Sequence, residues 1–151
     1  ARRWGLDGLR AVIAVLAVWP VCIFLLAATA RLLPVAPEHV HPLLRTLEKA
    51  GPGWTAAAVF SAVVLAPLAE ELFFRGLLQS LLRKRLGPWP AVLTTAVVFA
   101  AVHYSTPQAV PALAALGIVL GYNYERTGRL FAPILLHAIF NALNIAVKLS
   151  G

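Results

Sequence analysis

Three ionisable side chains stand close together in a part of the sequence that is otherwise apolar. Glu70, Glu71 and Arg75 belong to the run APLAEELFFRGLLQ, residues 66–79. A charged side chain near the centre of a bilayer costs about 2.5–3.5 kcal/mol on insertion scales. Three of them would cost a sum comparable to the whole net stability of a domain, which is about 5–15 kcal/mol. Charges in this setting therefore predict a compensated, functional interior.

Helical spacing separates the roles of the two glutamates. Glu71 and Arg75 are four residues apart, so they share one helix face and can form an ion pair. Glu70 points about 100° away from Glu71, which leaves its carboxylate free for chemistry. Pro67 cannot donate a hydrogen bond to the carbonyl of Val63, so we expect a kink or an exposed carbonyl beside the glutamates.

Two further apolar segments carry polar side chains. FAAVH places His103 near the end of one segment, with Phe99 one turn below it, and HAIFN places His137 and Asn141 one turn apart on another. A single histidine or ion pair in such a segment can simply hold helices together. We count depth along each segment at about 1.5 Å per residue. The carboxylate of Glu70 and the three polar side chains just named then fall within roughly 10 Å of one another along the membrane normal. This agreement predicts a shared polar cavity.

Such a cavity permits two chemistries, and both end in amide hydrolysis. A carboxylate and an imidazole can polarise a water and relay its proton. Alternatively, Glu70, His103 and His137 provide the ligands of a three-ligand zinc site whose fourth position is open for water. Asn141 would then donate a hydrogen bond to the oxyanion of a tetrahedral intermediate. The spacing leaves the choice between zinc and a metal-free mechanism open.

Membrane helices are the elements that must position these residues. The chain has 151 residues, of which 60% are hydrophobic and 13% charged, and its mean hydropathy is +0.81. Soluble domains carry about 25% charged residues. We therefore predict an all-α fold, a polytopic transmembrane helical bundle. Since a full span needs roughly 20 residues, the third and fourth of its five apolar segments are short. The segments cover residues 11–33, 54–82, 90–104, 109–124 and 130–148.

Two parts of the chain are expected. Residues 1–53 would form an N-terminal transmembrane helix and a polar loop, and residues 54–151 the catalytic helical core. The loop contains His39 and His41, which we interpret as exposed, and HPLLRTLEKAG, which we interpret as an amphipathic turn at the interface. The sequence contains no methionine, which indicates a segment of a longer protein.

The net charge of +7 lies in short basic clusters between apolar runs. This distribution favours loops that face an anionic leaflet, so we expect the lipid bilayer, and no nucleic acid, as a partner. The clusters fall on one side of the membrane if every segment crosses it, and the positive-inside rule then places the N-terminus in the cytoplasm. We expect an integral protein of a bacterial inner membrane. The clusters are Arg2, Arg3 and Arg10; residues 83–85; and Arg126 with Arg129.

Three motifs occur in a fixed order along the apolar segments: EELFFR at 70–75, FAAVH at 99–103 and HAIFN at 137–141. In this order they resemble the EExxxR, FxxxH and HxxxN/B motifs of the CPBP family. That family contains the CAAX-prenyl-endopeptidase-like and bacteriocin-processing intramembrane proteases. Each motif alone is weak, but three in the right order on apolar segments are specific. The resemblance covers about half of the chain, residues 66–144.

The resemblance implies a helical bundle that hydrolyses peptide bonds within or beside the membrane. Carried over to this sequence, Glu70 and His103 would activate the water. His137 and Asn141 would bind the oxyanion.

The resemblance also implies that Glu71 and Arg75 support the geometry of the site. The family has been described both as metalloproteases and as metal-independent glutamate proteases, so Zn²⁺ is one of two alternatives. The implied substrates are membrane-associated peptides or proteins, of the prenylated CAAX type or bacteriocin-like.

Two other functions compete with proteolysis. The first is a non-catalytic membrane scaffold or immunity protein that keeps the motif for helix packing. The second is a proton- or ion-coupled transporter that uses Glu70 and the histidines as a relay. Transporters of that kind are built from paired repeats with broken helices, and no repeat is visible in this sequence. The sequence therefore favours an intramembrane endopeptidase.

Overall fold

Five helices make up the part of the chain that the structure describes. The structure is a computed structural model, and it describes residues 2–33 and 51–150. These residues contain no strand, and a short 3₁₀ turn, Pro107–Ala109, precedes the fourth helix. The prediction of an all-α bundle is confirmed. The helices are α1 (Arg2–Leu32), α2 (Pro52–Leu86), α3 (Pro88–Ala101), α4 (Val110–Thr127) and α5 (Phe131–Ser150).

Length and composition together distinguish the candidate membrane spans from the other helices. Three helices are long and apolar enough to cross a membrane: α1, α2 and α5. The two segments predicted to be short form α3, with 14 residues, and α4, with 18 residues. The predicted loop histidines and amphipathic turn fall on residues 34–50, outside the described residues.

One face of α1 packs against α4 and α5. Its buried residues recur at intervals of three and four, as expected for a helix with one packed side. The thiol of Cys22 donates a hydrogen bond to the carbonyl of Ala112 at 3.3 Å, which agrees with a packing role for this cysteine. The face consists of Ala11, Val15, Val18 and Cys22.

A buried acid ties the N-terminal end of α1 to the turn between α4 and α5. Asp7 is fully buried, and its Oδ2 accepts hydrogen bonds from Nε and Nη2 of Arg129 at 2.8 and 2.5 Å. Gly128, just before this arginine, has φ +63°. A side chain strains that left-handed conformation, so glycine ends α4 here at little cost.

Helices α3 and α4 approach each other closely at two glycines, the GxxxG of α4. A Cβ on Gly117 would lie 3.0 Å from Cα of Ala96, and one on Gly121 would lie 3.1 Å from Cγ1 of Val92. Both are tighter than an ordinary contact. A GxxxG spacing in a membrane helix favours close approach of this kind.

Helix α2 is irregular on both sides of the glutamates. Residues Ser61–Leu65 and Leu72–Gln79 are π-helical, and Ala66–Glu71 between them is α-helical. π-Helical insertions within α-helices are frequent at functional sites. Pro67 lies in the first turn of the α-helical segment between them. The disturbance predicted from this proline therefore takes the form of altered hydrogen bonding along one continuous helix.

Candidate active site

Glu71 lies at the centre of the site. Its side chain is fully buried, and its Oε1 accepts a hydrogen bond from Nη1 of Arg75 at 2.8 Å. The same oxygen lies 2.9 Å from Nδ1 of His137, on α5. Because an ionised carboxylate only accepts hydrogen bonds, Nδ1 of this histidine is the donor. The predicted pair of Glu71 and Arg75 is confirmed, and Glu71 also orients an imidazole from another helix.

Glu70 differs from its neighbour in exposure and in partners. Its side chain is 29% exposed, and its Oε2 lies 3.8 Å from Nε2 of His137. That separation exceeds a direct hydrogen bond and is one that a single water can bridge. The two carboxylates therefore face the two nitrogens of one imidazole. Glu71 is held by its partners and Glu70 is the freer group, which is the division that the helical spacing predicted.

Arg75 is fully buried and has three kinds of partner. Besides its bond to Glu71, its Nη2 donates to the carbonyl of Gly117 at 3.1 Å. Its guanidinium carbon lies 4.9 Å from the ring centroid of Phe99, within the range of a cation–π contact. A carboxylate, a carbonyl and an aromatic face together compensate a charge that an apolar interior would otherwise exclude.

His103 lies in the turn that follows α3, and its ring contacts the ring of Phe99, which also contacts His137. Its Nδ1 lies 2.8 Å from the carbonyl oxygen of Phe99, which can only accept, so Nε2 is left available. The ring of Phe99 lies 5.0 Å from the His103 ring and 5.8 Å from the His137 ring, centroid to centroid. Both imidazoles thus contact one phenyl ring. Within residues 2–33 and 51–150, no hydrogen bond or ion pair joins His103 to Glu70.

Asn141 lies one turn after His137 on α5. Its Nδ2 donates to the carbonyl of Ala62 in α2 at 2.9 Å. An amide nitrogen carries two N–H groups, so one is committed to this contact and the second is available to another acceptor. The structure therefore brings Glu70, His137 and Asn141 to the interface of α2 and α5.

The geometry agrees with the comparison of this chain with known families. Residues 52–143 match the family described as "Type II CAAX prenyl endopeptidase Rce1-like". The chain belongs to this Rce1-like family. The matched region contains all six predicted site residues, and the resemblance expected from the three motifs is confirmed. The family is one of membrane proteases, and the three long apolar helices agree with an integral membrane protein.

Three curated proteins are similar to part of the Rce1-like chain. "Uncharacterized protein YpbD" of Bacillus subtilis is 35% identical over 88 residues, which cover 56% of this chain and 42% of that protein. An "Uncharacterized 24.3 kDa protein" of Escherichia coli is 35% identical over 49% of this chain and 36% of its own length. "Putative membrane peptidase YdiL" of B. subtilis is 27% identical over 57% of this chain and 35% of its own.

The chain thus spans between about a third and two fifths of the length of these curated relatives. No solved structure gives a significant match.

The proposed zinc ligands do not form a ready three-ligand centre in this Rce1-like chain. Among the described residues, no group of three His, Cys, Asp or Glu side chains is arranged to hold a metal ion. Glu70 and His137 are neighbours, and the Nδ1 donation of His137 to Glu71 is the kind of contact that orients a metal-binding imidazole, but no third donor joins them among the described residues. A zinc site on Glu70, His103 and His137 stays a prediction, and no step of the chemistry below depends on it.

Gln79 is a buried polar residue that the sequence analysis did not single out. It is fully buried, and its Nε2 donates to the carbonyl of Gly121 at 3.1 Å and to Oε1 of Glu125 at 3.0 Å. A signal for it was present, because Gln79 follows Arg75 by four residues and so continues the same helix face. Ala62, in contrast, contributes only a backbone carbonyl, and its residue type gives no sign of this role in the sequence.

Proposed function

We propose that this chain is the catalytic core of an intramembrane endopeptidase that hydrolyses peptide bonds of membrane-associated substrates with a water activated by Glu70. One contact supports this function most: Oε2 of Glu70 lies 3.8 Å from Nε2 of His137, while Nδ1 of the same imidazole donates to Glu71. A scaffold needs the buried ion pair, but it does not need a partly exposed carboxylate beside an oriented imidazole.

The proposed first step is attack by water. Glu70, assisted by His103, takes a proton from the water while the water oxygen forms a bond to the scissile carbonyl carbon. The carbonyl oxygen becomes an oxyanion, which accepts hydrogen bonds from Asn141 and His137. His137 can donate to the oxyanion only through an Nε2 that carries a proton, while its Nδ1 donates to Glu71.

The second step breaks the peptide bond. The tetrahedral intermediate collapses, the C–N bond cleaves, and the proton held by Glu70 passes to the leaving amine. The products are a carboxylic acid and an amine, which become a carboxylate and an ammonium ion when the acid proton passes to the amine, and Glu70 is again ionised. If zinc is bound, it would lower the pKa of the attacking water.

An open apolar groove runs along α2 and α5 beside these residues and supports a lipid-linked substrate. It has a volume of about 900 Å³ and includes Val63 and Ala142, the immediate neighbours of Ala62 and Asn141. A lipid chain attached to a substrate would find only weakly polar walls there. We propose that substrates are CAAX-type prenylated proteins or similar membrane-anchored peptides. The groove is lined by Pro52, Thr55, Ala56, Val59, Phe60, Val63, Val64, Ala142, Ile145 and Ala146.

Alanine substitution of the proposed water-activating residues tests the function. We expect E70A and H103A each to reduce cleavage of a membrane-tethered reporter about 10²–10⁴-fold, the usual contribution of a general base. E125Q is the matched control, because Glu125 is also a partly buried glutamate but pairs with Arg83 away from the site. Membrane insertion and thermal stability are measured in parallel. Unchanged cleavage in both alanine variants, with stable protein, would favour the scaffold alternative and end the protease proposal.

The same reporter assay decides the metal question when it is repeated with a chelator. We expect cleavage to persist, because the described donors offer fewer than three ligands in one place. Inhibition that added zinc reverses would instead support the zinc site on Glu70, His103 and His137.

A further inference from the structure

One carbonyl of α2 has lost both of its possible main-chain donors. The amide of Ala66 donates to the carbonyl of Ser61, five residues back, instead of to Ala62 as in an α-helix. In the π-helical pattern the carbonyl of Ala62 would be served by residue 67. That residue is Pro67, which has no N–H. The carbonyl of Ala62 therefore needs a donor from outside its own helix, because an unpaired carbonyl is costly within a membrane.

Asn141 supplies that donor. Its Nδ2 lies 2.9 Å from the carbonyl oxygen of Ala62. Because a carbonyl oxygen can only accept, the amide nitrogen must face Ala62, and this contact sets the orientation of the whole amide group. The second N–H of Nδ2 is not used in that contact and is available to a substrate oxygen. His137, one turn earlier on α5, shares the face from which Asn141 projects.

We infer that Pro67 is a positioning residue for catalysis: by keeping the carbonyl of Ala62 open, it anchors Asn141 so that the remaining N–H can reach the oxyanion. The inference rests on the proposed role of Asn141 in the endopeptidase. It explains why a buried proline stands inside a long membrane helix, three residues before Glu70. Packing alone would not require a residue without an N–H at that position.

Restoring the missing N–H tests the inference. In P67A the new amide allows α2 to close an α-helical pattern, in which Ala66 donates to Ala62 and displaces Asn141. We expect kcat to fall about 10-fold or more with KM nearly unchanged, since loss of one oxyanion donor costs about 10²–10³ in kcat. P111A is the matched control. Pro111 lies in the first turn of α4, where amides lack helical partners anyway, so kcat should not change.

A double-substitution cycle distinguishes positioning from a general loss of structure. If Pro67 acts through Asn141, P67A should cause no further loss in an N141A background, because the group that it positions is already absent. Losses that multiply in P67A/N141A would overturn the inference.

The side-chain amide resonances of Asn141 give a readout that does not depend on activity. In detergent micelles we expect one Nδ2 proton of the wild-type chain to exchange slowly, and this protection to disappear in P67A but not in P111A. Two rapidly exchanging protons in the wild type would overturn the anchor even if P67A fails to fold. If N141A cleaves normally, the proposed role of Asn141 in binding the oxyanion is wrong. The protection pattern then still shows whether the hydrogen bond from Asn141 to the carbonyl of Ala62 depends on Pro67.

Discussion

At the scale of single residues, the site depends on one oxygen atom that serves two partners. Oε1 of Glu71 accepts from Nη1 of Arg75 at 2.8 Å and from Nδ1 of His137 at 2.9 Å. Glu71 and Arg75 are both fully buried, so neither charge has water to compensate it. A buried pair of this kind adds little net stability, but removing one partner leaves the other charge uncompensated. The carboxylate of Glu71 therefore compensates the buried charge of Arg75 and orients the imidazole of His137.

Neutralising Glu71 should be costly for this reason. We expect E71Q to lower the free energy of unfolding by about 3–5 kcal/mol, measured by denaturant titration in detergent. R83A is the comparison, because the pair of Arg83 and Glu125 has a half-exposed arginine, and such pairs contribute about 0–1 kcal/mol. The double variant E71Q/R75Q should recover part of the loss. Equal costs for E71Q and R83A would contradict the account of a desolvated pair.

At the scale of helices, α2 and α4 fit together through a repeat of four residues. Polar side chains of α2 at positions 71, 75, 79 and 83 lie on one face, and the last three of them bond to α4. Position 75 bonds to position 117, position 79 to positions 121 and 125, and position 83 to position 125. The glycines at 117 and 121 serve two purposes: their carbonyls accept from the long side chains of α2, and their missing side chains admit α3. The axial positions of three helices are therefore coupled at the GxxxG.

A methyl group at Gly117 should separate these helices. Its Cβ would lie 3.0 Å from Cα of Ala96, and backbone cannot move aside as a flexible side chain can. We expect G117A to destabilise the protein by about 1–3 kcal/mol, the usual cost of overpacking, in thermal unfolding in detergent. G8A on α1 is the control, because its Cβ would lie 3.9 Å from Leu135, and the gain in helix propensity makes it neutral or stabilising. A G117A protein as stable as G8A would contradict the close approach.

At the scale of the whole molecule, the three basic clusters lie at one end of the bundle. Asp7 contacts both Arg10 and Arg129, which joins the first cluster to the third, and Arg83 pairs with Glu125 beside the third cluster. The predicted grouping of positive charge therefore has a structural counterpart. Under the positive-inside rule, we expect that end to face the cytoplasm. The helix α1 lies outside the family-matched residues, yet it is bound to this end through Asp7.

Cysteine labelling tests this orientation. In a C22A background, we expect K84C to react with a membrane-impermeant maleimide only when the cytoplasmic face is accessible, and S105C only from the opposite face. Both positions are exposed in the structure, and they lie at opposite ends of α3, so each is the control for the other. Labelling of both from one side would show that α3 does not cross, and a reversed pattern would overturn the cytoplasmic N-terminus.

The sequence by itself determined what depends on neighbours along the chain. Helix positions follow from apolar runs and proline placement, the pair of Glu71 and Arg75 follows from four-residue spacing, and the family follows from the order of three motifs. These features are local, or they are patterns of residue type, so no knowledge of the packing was required.

Only the tertiary structure decided which helices pack together and how far each is shifted along its neighbour's axis. The contacts of His137 with Glu71 and of Asn141 with Ala62 join residues 66 and 79 positions apart. Asp7 and Arg129 are 122 positions apart. Such contacts depend on how far one helix is shifted along another. A shift of one turn, about 5.4 Å, keeps every local pattern and breaks all three contacts, so the register is set by packing between helices.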